Sequence, residues 1–304
     1  MSIESYFKSR PLVLLSIIAT ASILIHFLLR SKIPGSALLY VGIPFLISVL
    51  LLTFTKKIEQ PTWKQKFINH IRDALIVMMG SSVILFEGFV CVVMFMPIYF
   101  SIMLINFIIT AFNQHKKEKA KLNTHFFSAL ILMVSLEGIH PNLSFERYNE
   151  VSSTKIVNAN ITDIKKNLVK PVNLQDDRAW FLDLFPMPYQ VNNNSLIIND
   201  IHEIKYRYHR WFITNTHEGH TLLKIAEVGD NYIRTEFIED TSYISNYMKL
   251  HGTEIRFKPI DASNTEVTLT IKYDRMLDPV WYFGPLQKYG VKKTADYMIA
   301  KMME

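Results

Sequence analysis

The feature that most constrains this chain is residues 74–112. They form an almost unbroken apolar run, interrupted only by Glu87, Asn106 and a few small polar residues. A helix that crosses a bilayer takes roughly 20 apolar residues. The run is long enough for two crossings and too long for one. No soluble core needs such a segment, so the N-terminal part is expected to be built in a membrane.

Composition supports a chain in two parts. The mean hydropathy of +0.14 averages over a sharp split: the long apolar runs fall within residues 11–139, and residues 145–304 have the make-up of a soluble domain. The predicted organisation is a transmembrane helical domain over 1–140, with spans near 11–29, 37–54, 74–92, 94–112 and 124–139, followed by a second domain over 145–304. Ala19-Thr20-Ala21 imitates a signal-peptide cleavage site, but the apolar run continues through Ile23, Leu24, Ile25, Phe27 and Leu28, which favours a retained span. Trp63, Phe67, Ile68 and Ile71 recur at helical spacing in a basic stretch. They predict that residues 55–73 lie along the bilayer surface before the chain enters it.

Charge placement gives a topology. Lys8 and Arg10, then Lys56, Lys57, Lys64, Lys66 and Arg72, then Lys116, Lys117, Lys119 and Lys121 form three basic segments. The positive-inside rule puts all three on the cytoplasmic side, which makes 74–112 a hairpin, broken at Glu87-Gly88 or Pro97. If 124–139 is a fifth span, the second domain lies on the far side, periplasmic for a bacterial inner-membrane protein. If 124–139 only lies on the surface, that domain is cytoplasmic; the five-span reading is preferred. Topology accounts for the net charge of +6 better than nucleic acid does, so the bilayer is an expected partner and nucleic acid is not. The single cysteine, Cys91, excludes an intrachain disulfide.

Glu87 is the conspicuous polar group of the apolar run. A carboxylate at a helix centre costs on the order of 2.5–3.5 kcal/mol on insertion scales. It is either an ion, proton or ligand site, or it sits at the hairpin break near headgroups, or it is protonated and hydrogen-bonded within the bundle.

The second domain opens with strand-like residues 151–158. Asn160, with Asp163 three residues on, predicts a capped short helix. Residues 171–200 read as irregular. From residue 201 the pattern is of strands with one wet face. Ile204, Tyr206 and Tyr208 share a side, and residues 221–228 and 232–238 form a hairpin across Gly229-Asp230-Asn231. Val267, Leu269, Ile271 and Tyr273 alternate with Glu266, Thr268, Thr270 and Lys272. A helix over about 279–302 closes the chain. Phe283, Leu286, Gly290, Thr294, Tyr297 and Met298 are expected on its buried side, with Lys288, Lys292 and Asp296 opposite. The fold class is therefore α+β, a helical bundle followed by an antiparallel sheet packed on a long C-terminal helix.

Strand, short helix, serial antiparallel strands and one long helix is the helix-grip order. The pieces Ser152-Ser153-Thr154-Lys155-Ile156-Val157-Asn158-Ala159, Thr268-Leu269-Thr270-Ile271-Lys272-Tyr273 and Asp278-Pro279-Val280-Trp281-Tyr282-Phe283 resemble the START/Bet v 1-like (SRPBCC) superfamily, in its polyketide cyclase/dehydrase and lipid-transport group. The resemblance covers about half the chain and is one of pattern. It lacks the usual tryptophan of the first helix, and the loop after that helix is long. It implies a hydrophobic cavity between sheet and C-terminal helix, a lipid, isoprenoid or polyketide-like ligand and, in a minority of members, enzymatic activity.

On that reading Tyr206, Tyr208, Trp211, Tyr273, Phe283, Gly290 and Thr294 are the expected ligand-lining residues. The aromatic positions also suit plain core. Catalytic signals are weak, and no catalytic residue is assigned. His217-Glu218-Gly219-His220 lacks the spacing that sets two imidazoles on one helix face; a polar hairpin tip is expected there and no metal. Asp176-Asp177 and Glu239-Asp240 read as solvated loop pairs. No phosphate loop or dinucleotide fingerprint is present, and no cofactor is expected. The expected function is a membrane-tethered binder of a hydrophobic ligand. The alternatives are a cyclase or dehydratase using the same cavity, and a transporter or assembly factor built around Glu87.

Overall fold

The structure is a computed structural model. It describes residues 3–31, 33, 35–55, 62–85, 89–115, 119–170, 172–174, 178–192, 195–211 and 214–302. The chain forms two compact units: Met1–Phe145 together with Leu277–Tyr282, and Glu146–Met276 together with Phe283–Glu304. The sequence reading places Leu277–Tyr282 with the second unit.

The first unit is helical. It contains α1 (Ile3–Arg30), a π-helical turn (Leu38–Gly42) that runs into α2 (Ile43–Thr55), α3 (Trp63–Leu85), α4 (Phe89–His115) and α5 (Lys119–Val134). Pro11–Arg30, Trp63–Leu85 and Val92–Ala111 are long and apolar enough to cross a membrane, and Leu38–Phe54 is a shorter apolar helix. Ile17, Ile18, Leu51, Val77, Met78, Tyr99 and Met103 make the core of the bundle. Leu12, Ile23, Phe27, Val83 and Ile84 are exposed. An apolar exterior is costly in water and neutral in lipid.

Three details depart from the sequence reading. The third helix begins at Trp63, not at 74, so the basic stretch and the apolar stretch are one helix. Nothing between Trp63 and Leu85 breaks it, and Lys64, Lys66 and Arg72 are exposed while His70, Ala74, Val77 and Ser81 are buried. Pro97 lies within α4. The other candidate for the break, Glu87-Gly88, lies outside the described residues. Helix α5 ends at Val134, short of the expected 139: the amides of Leu136 and Glu137 bond to i−3 carbonyls, and Gly138 then takes a positive φ of 83°, a conformation that glycine adopts without steric cost.

The second unit is one sheet and three helices. Along the chain come β1 (Tyr148–Val157), α6 (Ile161–Leu168), β2 (Val172–Asn173), α7 (Trp180–Asp183), β3 (Pro188–Asn192), β4 (Ile201–Trp211), β5 (Thr214–Val228), β6 (Tyr232–Asp240), β7 (Met248–Pro259), β8 (Thr265–Arg275) and α8 (Val280–Met302). The strand order is β1-β8-β7-β6-β5-β4-β3-β2, and β1 pairs antiparallel with β8 from Tyr148↔Asp274 to Val157↔Thr265. Register shifts at Leu222/Leu223, Ile225/Glu227 and Leu250/Gly252 bend the strands, as bulges do. At Gly252 any side chain would run into the Thr235 carbonyl, so the bulge requires glycine. Asn160 caps α6 as expected, its Oδ1 accepting the Asp163 N–H at 2.9 Å.

The strict alternation of β8 is observed: Val267, Leu269, Ile271 and Tyr273 are buried and their neighbours half-exposed. Residues 217–220 are not a hairpin tip. They lie within β5, with His217 opposite Tyr208 and Gly219 opposite Tyr206, since polar residues at alternate positions suit a wet sheet face as well as a turn. Glu239 and Asp240 end β6 instead of lying in a loop; Asp176-Asp177 lies outside the described residues. The C-terminal part therefore has the predicted helix-grip architecture: a curled antiparallel sheet with one long closing helix.

Candidate ligand-binding site

The inner face of the sheet and α8 enclose two apolar clusters. The first joins Val151, Ile225, Ile233, Ile255, Phe257, Val267, Leu269, Ile271 and Tyr273 to Val291, Ala295 and Ile299 of α8. The second joins Leu174, Leu182, Met187, Val191, Ile204 and Tyr206 to Tyr297. The seam of α8 that enters the core runs Phe283, Gln287, Val291, Ala295 and Ile299, nearly one residue round from the expected face. Gly290 and Thr294 are consequently half-buried at its flank. Asp296, expected outside, hydrogen-bonds to Ser153 of β1.

Of the expected ligand-lining residues, these clusters include Tyr206 and Tyr273. Tyr206 lies in the second, where α7 and β3 cover it. Beside it, Thr294 Oγ1 lies 3.8 Å from Met187 Sδ and donates to the Gly290 carbonyl at 3.0 Å. A Cβ at Gly290 would touch only the Phe181 ring edge, at 4.0 Å. Tyr208 stacks on Tyr243 at 4.8 Å, and Tyr243 also meets Tyr247. Tyr273 is in the first cluster, and Phe283 is 1% exposed. The side chain of Trp211 lies outside the described residues, as does Glu87.

Two polar atoms stand out in this interior. The Tyr273 hydroxyl and Gln287 Oε1 are buried without a hydrogen-bond partner. Gln287 spends its amide on the Tyr247 carbonyl at 3.0 Å. An unsatisfied buried polar group costs about 1–3 kcal/mol, so the fold leaves each of these groups short of a hydrogen bond. Burial pushes the Tyr273 phenol up to about 12, against the opposing pull of Arg275. Burial also raises the Tyr206 phenol. Both are neutral hydrogen-bonding groups at physiological pH. Sequence reasoning missed Gln287, because a glutamine in an amphipathic helix reads as surface; its only signal was its place four residues after Phe283.

Buried His202 offers little for acid–base chemistry: its Nε2 is engaged at 2.7 Å by the Ser195 carbonyl. Among the described residues no group of three or more His, Cys, Asp or Glu is arranged to hold a metal ion.

The outer face of the sheet carries a different constellation. Glu254, 6% exposed, is ringed by Arg256, Arg234 at 3.5 Å and Lys272 at 3.6 Å. Arg234 also pairs with Glu227 at 3.0 Å, and Lys272 with Glu150 at 3.8 Å. Burial pushes the Glu254 carboxyl up, but the Arg256 hydrogen bond and the three cations outweigh it and hold the group below the usual carboxylate range. An open groove of about 550 Å³ lies over this face. Its charges pair with one another, which marks it as a structural lattice across β6, β7 and β8.

No protein-family model and no curated protein matches the sequence. Solved structures of similar fold exist. A START superfamily protein from Mycobacterium smegmatis matches with a TM-score of 0.33 and 12% identity, over 51% of this chain and 94% of that one. The Zhui aromatase/cyclase from Streptomyces sp. R1128 matches at 0.32 and 15%, over 51% and 92%. A norcoclaurine synthase point mutant from Thalictrum flavum matches at 0.29 and 14%, over 52% and 98%. With its strand order, its antiparallel β1–β8 pair and its long last helix, the C-terminal half of the chain has a helix-grip fold.

Proposed function

We propose that this is a membrane-tethered binding protein whose C-terminal unit holds a hydrophobic ligand between the sheet and α8. The observation that carries the reading is two unpartnered polar atoms, the Tyr273 hydroxyl and Gln287 Oε1, in a largely apolar and aromatic interior that also buries Arg275. Such a site suits a mainly apolar molecule with one or two hydrogen-bonding groups, such as a lipid, isoprenoid or polyketide-like compound. Tyr206, Tyr208, Phe283, Gly290 and Thr294 are its proposed walls. The three long apolar helices support tethering in a bilayer. With α5 as a further crossing, the C-terminal unit lies on the side away from the basic segments, in the periplasm of a bacterium.

The test is extraction and mass spectrometry of the full chain purified in detergent. A defined hydrophobic species is expected at close to one per chain, and much less of it with Gln287→Leu. A set of lipids indistinguishable from those on an unrelated multi-pass protein overturns the binding reading. The orientation has its own test: a reporter fused after Glu304 that is active only in the cytoplasm overturns the periplasmic placement.

A further inference from the structure

The helical unit buries a second polar system. His70 and Asp73 of α3 are 3% and 1% exposed, within the candidate span Trp63–Leu85. His70 Nε2 lies 3.4 Å from Ser48 Oγ of α2, and its ring stacks on Phe107 of α4 at 5.5 Å. Asp73 is the charge nearest to that ring and pairs with exposed Arg72 at 3.5 Å. Next to Phe107, the Asn106 side chain is 6% exposed, and its Nδ2 has no hydrogen-bond partner. Two further hydroxyls, of Ser81 and Ser22, are buried elsewhere in the bundle without partners.

From His70 to Ser81 is about 16 Å at 1.5 Å per residue, roughly half of a ~30 Å hydrocarbon core. Burying two ionisable groups, with His70 Nδ1 and Asn106 Nδ2 unsatisfied, is expensive here. Within membrane spans such groups mark ion pathways and proton relays, whereas packing alone is served better by Leu or Ala.

We propose that His70 and Asp73, with Ser48 and Asn106, form a proton-relay site in the helical unit. A proton from water on one side adds to a nitrogen of the His70 ring or to the Asp73 carboxylate. It then leaves to water on the other side. Only N–H and O–H bonds form and break, and no electrons move. Among the described side chains of α1 to α4 the other titratable groups are His26, Arg30, Lys64, Lys66, Arg72, Tyr40 and Tyr99. His26, Lys64, Lys66 and Arg72 are exposed, and Tyr99 donates to the Ala74 carbonyl at 2.9 Å. The proposal rests on the helical unit lying in a bilayer and is independent of any ligand in the C-terminal unit.

The experiment uses the full chain in liposomes that contain the pH dye pyranine, with an imposed proton gradient and valinomycin to clamp the potential. Acidification at least tenfold faster than in empty liposomes is expected. Asp73→Asn and His70→Gln should each lose most of that rate. His26→Gln on the outer face of α1 should retain it. Resistance of the chain to alkaline extraction is measured on the same vesicles. A chain that is extracted overturns the membrane reading and the relay with it. An inserted chain that conducts no faster than empty liposomes, or whose Asp73→Asn variant conducts as fast as the native chain, overturns the relay alone.

Discussion

Glu137 Oε1 accepts the backbone N–H of Val280 at 2.8 Å, across 143 positions of sequence. Val280 opens α8, and the first N–H groups of a helix have no partner within it. Glu137 supplies one, and its carboxylate also meets the positive end of the helix dipole. Around it the Asp278 N–H donates to the Gly35 carbonyl at 2.7 Å, and the Ala37 N–H to the Glu137 carbonyl at 2.9 Å. A side chain at position 138 would strike the Asp278 carboxylate. The turn after α5 is thus a socket for the start of α8, with glycine required at its rim.

This socket predicts a graded series. Glu137→Ala removes the cap and leaves a buried N–H unsatisfied, which should cost about 1–3 kcal/mol. Glu137→Gln keeps an accepting oxygen and loses the charge, so it should cost less than half as much. Thermal unfolding of the detergent-solubilised chain measures both. Equal melting temperatures for the native and Glu137→Ala chains would remove the capping role.

Tyr273→Phe separates stability from binding. The hydroxyl has no partner in the protein, so its removal should leave stability at pH 7 unchanged or raise it by up to about 1–2 kcal/mol. Ligand retention should fall, because the ligand is then the group's only hydrogen-bond partner. The alkaline limb gives an independent check. The phenol titrates near 10 when unfolded and at about 12 when folded, so between these values the native state binds more protons than the unfolded one. Stability falls as pH rises through that window, and Tyr273→Phe should flatten the fall. Native-like ligand loading in Tyr273→Phe would count against the polar anchor.

Legibility differed by element, for physical reasons. β8 could be read residue by residue because one face is wet and the other buried, so chemistry alternates with the pleat. The seam of α8 was misplaced because Gln287 is polar yet buried; moving the apolar centre away from it put Gly290 and Thr294 where Val291 and Ala295 belong. α3 was divided at Asp73 because Lys64, Lys66 and Arg72 signal surface, although they occupy only the outward side of a helix that also buries His70. The contact between Glu137 and Val280 has no local signature, since it depends on where two distant segments meet. The Tyr273 and Gln287 orphans are defined by what surrounds them, which composition does not record.

Glu254→Gln tests the outer lattice. Its carboxylate lies among Arg234, Arg256 and Lys272, and neutralising it leaves three cations without their common partner. A loss of about 1–3 kcal/mol is expected at pH 7. Because the folded carboxyl is held below its usual 4.5, its contribution is complete above that value and is lost as pH falls through the folded one. The native chain should therefore lose stability on acidification below about pH 4.5 more steeply than Glu254→Gln. Parallel acid limbs in denaturant titrations at several pH values would show that the ring of cations contributes nothing specific.

Thr294→Phe asks whether the flank of α8 borders ligand space. Thr294 is half-buried, its neighbour Met187 is a flexible side chain, and one turn earlier the Phe181 ring edge faces Gly290. If ligand occupies that flank, a phenyl group takes its place and the surrounding protein yields little. Co-purifying ligand should then fall severalfold while the melting temperature stays nearly constant. If the flank is closely packed protein, the added volume must displace α7, and overpacking typically costs about 1–3 kcal/mol. For a unit of this size that is a drop of about 2–4 °C per kcal/mol. A marked drop in melting temperature, with no ligand found on the native chain, would mean that α8 is packed solid against the sheet and that the binding role belongs elsewhere.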